Sequence, residues 1–317
     1  MLKYCFHSLI LTALALPLPS LFAQGLYEKI SPACVEILVS GRLDGSGAIV
    51  CPSGLVLTAC HVIRKQSKRY EALSPELGRK PLSLIATYRG SDLALLKLPV
   101  SKKPYPALSL AREVPPPGKP VFLLGSPIFR HHLLLRGAIA RRTETYSWYD
   151  GAFTNTIPIS GIGAPGSSGG PWVNARGEII GVQVASVTTS KGHQGVSSAV
   201  PVSSVRNFIA KKKNVQVACI QSAVEELWGQ STHLLKKIPP GTRGLLLRQV
   251  ASGGVAAKAG LKNEDLLLSA DGKTFERIEP FVTMLRKKKP GSVMEMEVCS
   301  SNGDNKRKVS LKTAVLE

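Results

Sequence analysis

Between residues 35 and 205 the apolar positions fall in short runs broken by Gly or Pro. The runs are Val35–Val39, Gly47–Val50, Leu55–Thr58, Leu82–Thr87, Leu93–Leu98, Val121–Leu124, Leu133–Ile139, Gly177–Val184 and Val196–Val200. Short β-type runs at close spacing with turn signals between them predict a sandwich or a pair of barrels. Two Pro-rich stretches, Lys103-Pro104-Tyr105-Pro106 and Pro115-Pro116-Pro117, mark a connection between two β halves. The pattern turns helical and basic over Val205–Lys213, which closes the first domain.

The remainder mixes strand and helix. Gly244–Val250 is a predicted strand, and Gly254–Ala259 a helical turn stopped by Gly260. Asp265–Ala270 is a strand leading into Asp271-Gly272, a hairpin signal. Glu279–Lys289 is a helix with Phe281 and Leu285 on one face, stopped by Pro290 and Gly291. Val293–Cys299 alternates, with Met294, Met296 and Val298 on the inner face, and Ser301–Asp304 turns it back into Lys306–Lys312.

Composition narrows this picture. The chain has 317 residues, 44% hydrophobic and 20% charged, which excludes a disordered chain and allows roughly two domains. Lys3, the apolar run Leu9–Leu16, then Pro17 and Pro19 with small residues at Ala23 and Gly25 read as a secretory signal peptide over residues 1–25. The mature chain is therefore expected in the periplasm or secreted. Cys34, Cys51, Cys60, Cys219 and Cys299 would remain, widely spaced and without a C-x-x-C pair. They leave one disulfide possible but support no zinc ribbon and no disulfide-dense scaffold. The formal net charge of +20 raises nucleic acid or an anionic surface as partner. The basic residues cluster at Arg64, Lys65, Lys68 and Arg69, at Arg141 and Arg142, at Lys211–Lys213 and at Arg286–Lys289. No nucleic-acid-binding motif accompanies them, so they read as a solvated basic surface.

The chemistry-bearing stretch is Gly166-Ser167-Ser168-Gly169-Gly170-Pro171. A nucleophilic serine needs a Gly-permissive loop whose backbone N–H groups can face a developing oxyanion. Gly166-x-Ser168-x-Gly170 also fits the nucleophile elbow of α/β-hydrolases, but no Asp lies between Ser168 and the downstream His193 or His233. The order histidine, aspartate, serine fits better. His61 ends an apolar strand in Leu57-Thr58-Ala59-Cys60-His61-Val62, and Asp92 opens another in Ser91-Asp92-Leu93-Ala94-Leu95. His131 and His132 follow Arg130 in what reads as an exposed basic loop.

Taken together, Gly45–Val50, Leu57–Val62, Ser91–Leu98, Gly166–Asn174, Gly181–Val184 and Val196–Pro201 resemble an HtrA/Deg-type trypsin-like serine protease. Gly244–Leu247, Gly254–Leu261 and Glu264–Gly272 resemble a PDZ domain. The resemblance implies a mainly β chain: a double β-barrel protease domain over 26–213, then a linker and a small α+β PDZ domain over 214–317. It implies Ser168 as acyl-forming nucleophile, His61 as general base and Asp92 as the group that orients it. Gly166 and Ser168 would supply the oxyanion hole. Ile162, six residues before the nucleophile, with Val184, Ala185 and Ser186, would line the specificity pocket. The stretch from Gly151 to Arg176 carries no acidic side chain, so cleavage is expected after small or medium aliphatic residues. Leu227-Trp228-Gly229-Gln230 resembles the loop that receives a peptide C-terminus. The chain departs from the family pattern at Cys60, at Ser167 and across Ile159–Pro165. The implied protein is an exported endopeptidase of unfolded or misfolded envelope proteins, working as a trimer without metal or cofactor. The competing class is a non-catalytic chaperone or peptide-binding scaffold built from the same domains.

Overall fold

Residues 19–63, 69–149, 151–189 and 192–316 are described by a computed structural model. The signal-peptide reading falls mostly on residues 1–18, outside the described residues, as do Arg64, Lys65 and Lys68 of the first basic cluster. The first described element, helix α1 (Pro19–Ile30), runs across the expected cleavage point. Its Leu26 and Ile30 are buried against the body of the protein.

Six strands close the first barrel: β1 (Cys34–Val39), β2 (Arg42–Cys51), β3 (Leu55–Ala59), β4 (Tyr70–Ser74), β5 (Gly78–Tyr88) and β6 (Leu93–Lys97), in the order β1-β2-β3-β6-β5-β4. β3 and β6 are buried along nearly their whole length, which explains their continuous apolar runs. Residues 98–119 cross to the second barrel, as the Pro-rich stretches predicted. It contains β7 (Pro120–Gly125), β8 (Leu133–Ile139), β9 (Thr145–Tyr149), β10 (Ala152–Ser160), β11 (Pro171–Val173), β12 (Ile179–Thr189) and β13 (Gly192–Pro201). The pairing of β10 with β13 closes this sheet into a barrel, with β9 outside it on β10. Trp172 is completely buried, its indole N–H donating to Gln183 Oε1 at 2.7 Å. Helix α2 (Val202–Lys211) packs Val205 and Phe208 inward.

Strand β14 (Val217–Cys219) pairs with the last strand of the chain. A separate sheet follows, built from β15 (Ala223–Glu226), β16 (Leu245–Arg248), β17 (Leu266–Ala270) with its short partner β18 (Lys273–Thr274), β19 (Val293–Cys299) and β20 (Arg307–Lys312). β15 forms one edge of it. Two single-turn helices, α3 (Thr232–Leu235) and α4 (Val255–Lys258), precede the longer α5 (Ile278–Lys287), and β21 (Ala314–Leu316) closes against β14. The expected alternation holds: Met294, Met296 and Val298 are buried, with Phe281 and Leu285 of α5 facing them in one core. Asp271 and Gly272 both take positive φ between β17 and β18, as a two-residue hairpin turn requires. The chain is thus mainly β, a double barrel followed by a small α+β domain.

One strand serves two cores. Ile157 and Ile159 of β10 lie in the second barrel, while Phe153 of the same strand is buried in the core of the last domain. Trp148 packs edge-on against Phe153, with ring centroids 4.9 Å apart. Together they fill the space between α5 and the Val217–Ser222 segment, leaving a cavity of about 20 Å³.

Candidate active site

His61 and Asp92 meet because β3 and β6 are hydrogen-bonded neighbours, with Ala59 opposite Leu93. His61 sits in the single 3-10 turn Cys60–Val62 after β3. Asp92 follows the turn Arg89–Ser91 and takes a left-handed conformation, φ 49 and ψ 45, which few residues other than Gly adopt. That geometry turns its carboxylate onto the histidine. The His61 backbone N–H donates to Asp92 Oδ1 at 2.9 Å, and Nδ1 lies 2.6 Å from Oδ2. The Cys60 N–H donates to the Asp92 carbonyl at 3.0 Å. An ionised carboxylate only accepts, so Nδ1 carries a proton, and in the neutral imidazole Nε2 then keeps its lone pair. Tyr149 packs edge-on against the imidazole, centroids 5.1 Å apart.

Ser168 lies in the loop between β10 and β11. The loop is held from within. Ser167 N–H and Oγ–H both bond to the Ala164 carbonyl, Gly169 N–H to Gln183 O, and Gly170 N–H to Ser167 O. Among the described residues, the N–H groups of Gly166 and Ser168 have no protein partner. Two glycines make this possible. Gly166 has φ +97, and a Cβ there would fall 2.3 Å from the Ser126 carbonyl oxygen; Gly169 has φ +84 and equally little room beside Ser46 and Thr58. Ser46 pins the loop to the first barrel through its N–H on the Ser168 carbonyl at 2.7 Å and its Oγ–H on the Gly166 carbonyl at 2.8 Å.

His61 and Ser168 line one open cleft of about 590 Å³, together with Ile162, Gly163, Gly166, Val184, Ala185 and Ser186. All four residues expected at the specificity pocket therefore border it. Ile162 is 57% exposed, so it stands at the rim rather than at a closed base. Polar groups behind it fix the wall. His193 Nδ1 accepts from Gly195 N–H at 2.8 Å, so its Nε2–H donates to the Gly163 carbonyl at 3.0 Å. No sequence signal had singled out His193 for this.

Behind the serine loop, the reading of His131 and His132 as an exposed pair requires correction. His131 is exposed and its Nδ1 lies 2.7 Å from Glu36 Oε1. His132 is buried, and neither ring nitrogen has a hydrogen-bond partner. Its left-handed backbone, φ 49, turns it inward. Burial pushes its imidazole below the ordinary value of 6.5, against the pull of Glu36 and Glu76; His131 adds to the lowering.

The predicted loop of the last domain is only partly anchored, Leu227 packing against the small cluster of Leu234, Leu246 and Leu266. Leu227–Gly229 form a 3-10 turn after β15, and Trp228 is 59% exposed, which excludes core packing for it. Gln230 instead joins a polar network, donating to Glu225 Oε2 at 2.9 Å and accepting from Arg248 at 2.9 Å. The basic cluster Arg286–Lys289 also divides. Lys287 and Lys289 are exposed, but Arg286 points into the double barrel and bonds to its backbone. Among the described residues, no group of His, Cys, Asp and Glu could hold a metal ion, and Cys34, Cys51, Cys60, Cys219 and Cys299 form no disulfide.

Comparison with known proteins matches the same two regions. Residues 45–182 match a trypsin-like peptidase domain, and residues 247–300 match a PDZ domain. Serine protease HTRA1 of Xenopus tropicalis is 28% identical over 312 residues, covering 89% of this chain and 65% of that protein. A probable periplasmic serine endoprotease DegP-like of Pseudomonas fluorescens is 30% identical over 270 residues, covering 83% of this chain and 54% of its own length. The chain thus spans between half and two thirds of these curated relatives. In fold it is similar to the serine endoprotease from Yersinia pestis, with a TM-score of 0.61 at 19% identity, over 93% of this chain and 98% of that one. The chain joins a trypsin-like peptidase domain to a C-terminal PDZ domain, and its relatives in sequence and in fold are the HtrA- and DegP-type proteins.

Proposed function

We propose that this protein is a serine endopeptidase that cleaves unfolded or misfolded proteins of the bacterial envelope. The observation that carries the reading is the shared cleft: an oriented His61–Asp92 pair on one wall, and on the other Ser168 with two unpaired N–H groups. In this reading Nε2 of His61 takes the Ser168 Oγ proton as Oγ attacks the scissile carbonyl carbon. The carbonyl oxygen becomes an oxyanion and is held by the Gly166 and Ser168 N–H groups. Asp92 stabilises the imidazolium and keeps the proton on Nδ1. The imidazolium then protonates the leaving amine, the C–N bond breaks and an acyl-serine remains. Water, deprotonated by Nε2, releases the acid and restores the enzyme. No step needs a metal or cofactor.

The second-barrel wall of the cleft, with Ile162 and Val184 and no carboxylate from Gly151 to Arg176, suits small or medium aliphatic residues before the cut, with Asp44 of β2 also lining the cleft. The second domain would recognise peptide C-termini by adding a strand to the free edge of β15, beside α5 and the exposed Trp228. The DegP-like relatives support a periplasmic setting.

The test is cleavage of casein by the wild-type chain and by Ser168→Ala, with covalent labelling by a fluorophosphonate probe. Wild-type cleavage and labelling, both absent in Ser168→Ala, are the expected result. Equal cleavage by the two would reject the assignment and favour the peptide-binding scaffold. Mapping the cut sites tests the pocket, and trypsin-like preference for Arg would overturn that part.

A further inference from the structure

Arg286 is the member of its basic cluster that reaches across to the double barrel, whereas the half-buried Lys288 pairs with Asp271 inside its own domain. Its guanidinium donates to the carbonyls of Gly90 and Phe153, reaches Asn155 Oδ1 at 3.5 Å, and lies over the Tyr146 ring, 4.8 Å from its centroid. These hydrogen-bond partners are neutral. Taking a guanidinium out of water costs free energy, and amide oxygens repay it only in a fixed geometry. Gly90 makes that geometry informative. It lies two residues before Asp92, in the turn whose left-handed last residue aims the carboxylate at His61.

A non-Gly residue in that conformation persists only when its surroundings hold it there. Within the first barrel the turn has the Asp92 N–H on Arg89 O and the Cys60 N–H on Asp92 O, both 3.0 Å. Further ties reach it from outside. Ser91 Oγ–H donates to Asn155 Oδ1 at 2.7 Å, and Arg286 caps the Gly90 carbonyl. Asn155 belongs to β10 and is itself fixed by Ser204 at 2.8 Å and Glu144 at 3.1 Å. Arg286 touches both of these ties at once. Val217, at the start of the last domain, closes the remaining side of Gly90, where a Cβ would meet its methyl group at 2.7 Å.

We infer that Arg286, contributed by the PDZ domain, is a positioning residue for the His61–Asp92 pair: it caps the Gly90 carbonyl and thereby holds Asp92 in register with His61 Nδ1. The inference rests on the triad reading above. It gives the second domain a supporting part in the chemistry. Removing the guanidinium leaves the buried Gly90 carbonyl without its cap and frees the turn to relax, so Asp92 orients the imidazole less well.

The experiment compares wild type, Ser168→Ala, Arg286→Met, Arg286→Lys and Lys287→Ala on a small peptide substrate, with kcat and KM taken across pH. Arg286→Met is expected to lower kcat ten- to hundredfold with KM unchanged, the cost of a misplaced catalytic group. The acid limb of kcat/KM should move to lower pH, because a less supported imidazolium loses its proton more readily. Arg286→Lys keeps the stem and the charge and should recover part of kcat. Lys287→Ala, an exposed neighbour, should match wild type. A wild-type chain without Ser168-dependent cleavage would remove the triad reading itself. Ser168-dependent cleavage with wild-type kcat and pH profile in Arg286→Met would overturn this inference alone. Should Arg286→Met fail to fold by circular dichroism, Arg286→Lys decides: wild-type kcat and acid limb in that variant overturn the proposal, and a lowered kcat with the shifted limb supports it.

Discussion

The two barrels furnish the cleft in opposite ways. On the first, His61 and Asp92 are bound to each other through side chain and backbone, and of the pair it is the imidazole that lines the cleft. On the second, the serine loop is tied within itself and to Gln183 and Ser46, yet among the described residues the Gly166 and Ser168 N–H groups have no partner. One wall is organised by saturation, the other by donors left unsatisfied. The difference follows from the chemistry each is asked to do. A base must already be in the correct tautomer before substrate arrives, whereas an oxyanion hole is worth most when its donors wait for a charge that has not yet formed.

The contrast can be broken one wall at a time. The largest effect is expected from Asp92→Asn, which keeps the shape but reverses which nitrogen holds the proton; kcat should fall by about four orders of magnitude, read in peptide hydrolysis. Gly166→Ala strikes the other wall. Its Cβ cannot fit beside Ser126 at φ +97, so the loop must move and carry its N–H groups away, lowering kcat by roughly 10²–10³. Fluorophosphonate labelling of Ser168 should slow in parallel. A wild-type rate in Gly166→Ala would show that those donors are not used.

A smaller effect sits behind the second wall, where Glu36 of β1 meets Ser126 and His131 after β7. His132 is buried neutral there, its folded-state pKa below the unfolded one. Its contribution to stability is therefore full above about 6.5 and is lost as pH falls, because the unfolded chain takes up a proton that the folded chain refuses. His132→Phe should lose less thermal stability than wild type on going from pH 7 to pH 5, measured by melting at both. The smallest effect is expected at the exposed Arg142–Glu113 ion pair, away from both walls. Arg142→Ala should change stability by no more than about 0.5 kcal/mol in urea unfolding.

Much of this was legible along the chain because it is local. β1, β7 and β8 follow their apolar runs closely, and Met294, Met296 and Val298 announce their face by alternation. The Gly-Ser loop declares itself because only glycine tolerates its backbone. What escaped depends on distant partners. In the β9–β10 hairpin Phe153 and Ile157 share one face of the strand but lie in different cores, which no local pattern announces. His132 reads as one of two surface histidines until a left-handed residue turns it inward. Arg286 is hidden among Lys287, Lys288 and Lys289, and nothing in a basic run tells which member will find a carbonyl across a domain boundary.

The last strand gives the molecule a mechanical property. β21 adheres through a three-residue antiparallel ladder to β14, with Leu316 opposite Val217. Val217 is the residue whose methyl groups rest on Gly90. Tension on whatever chain follows Leu316 would peel this ladder open from that end, like a short zip. A load applied at the tail would thus be felt first at the turn beneath Asp92, which makes the C-terminal end a poor place for a rigid fusion or a surface tether.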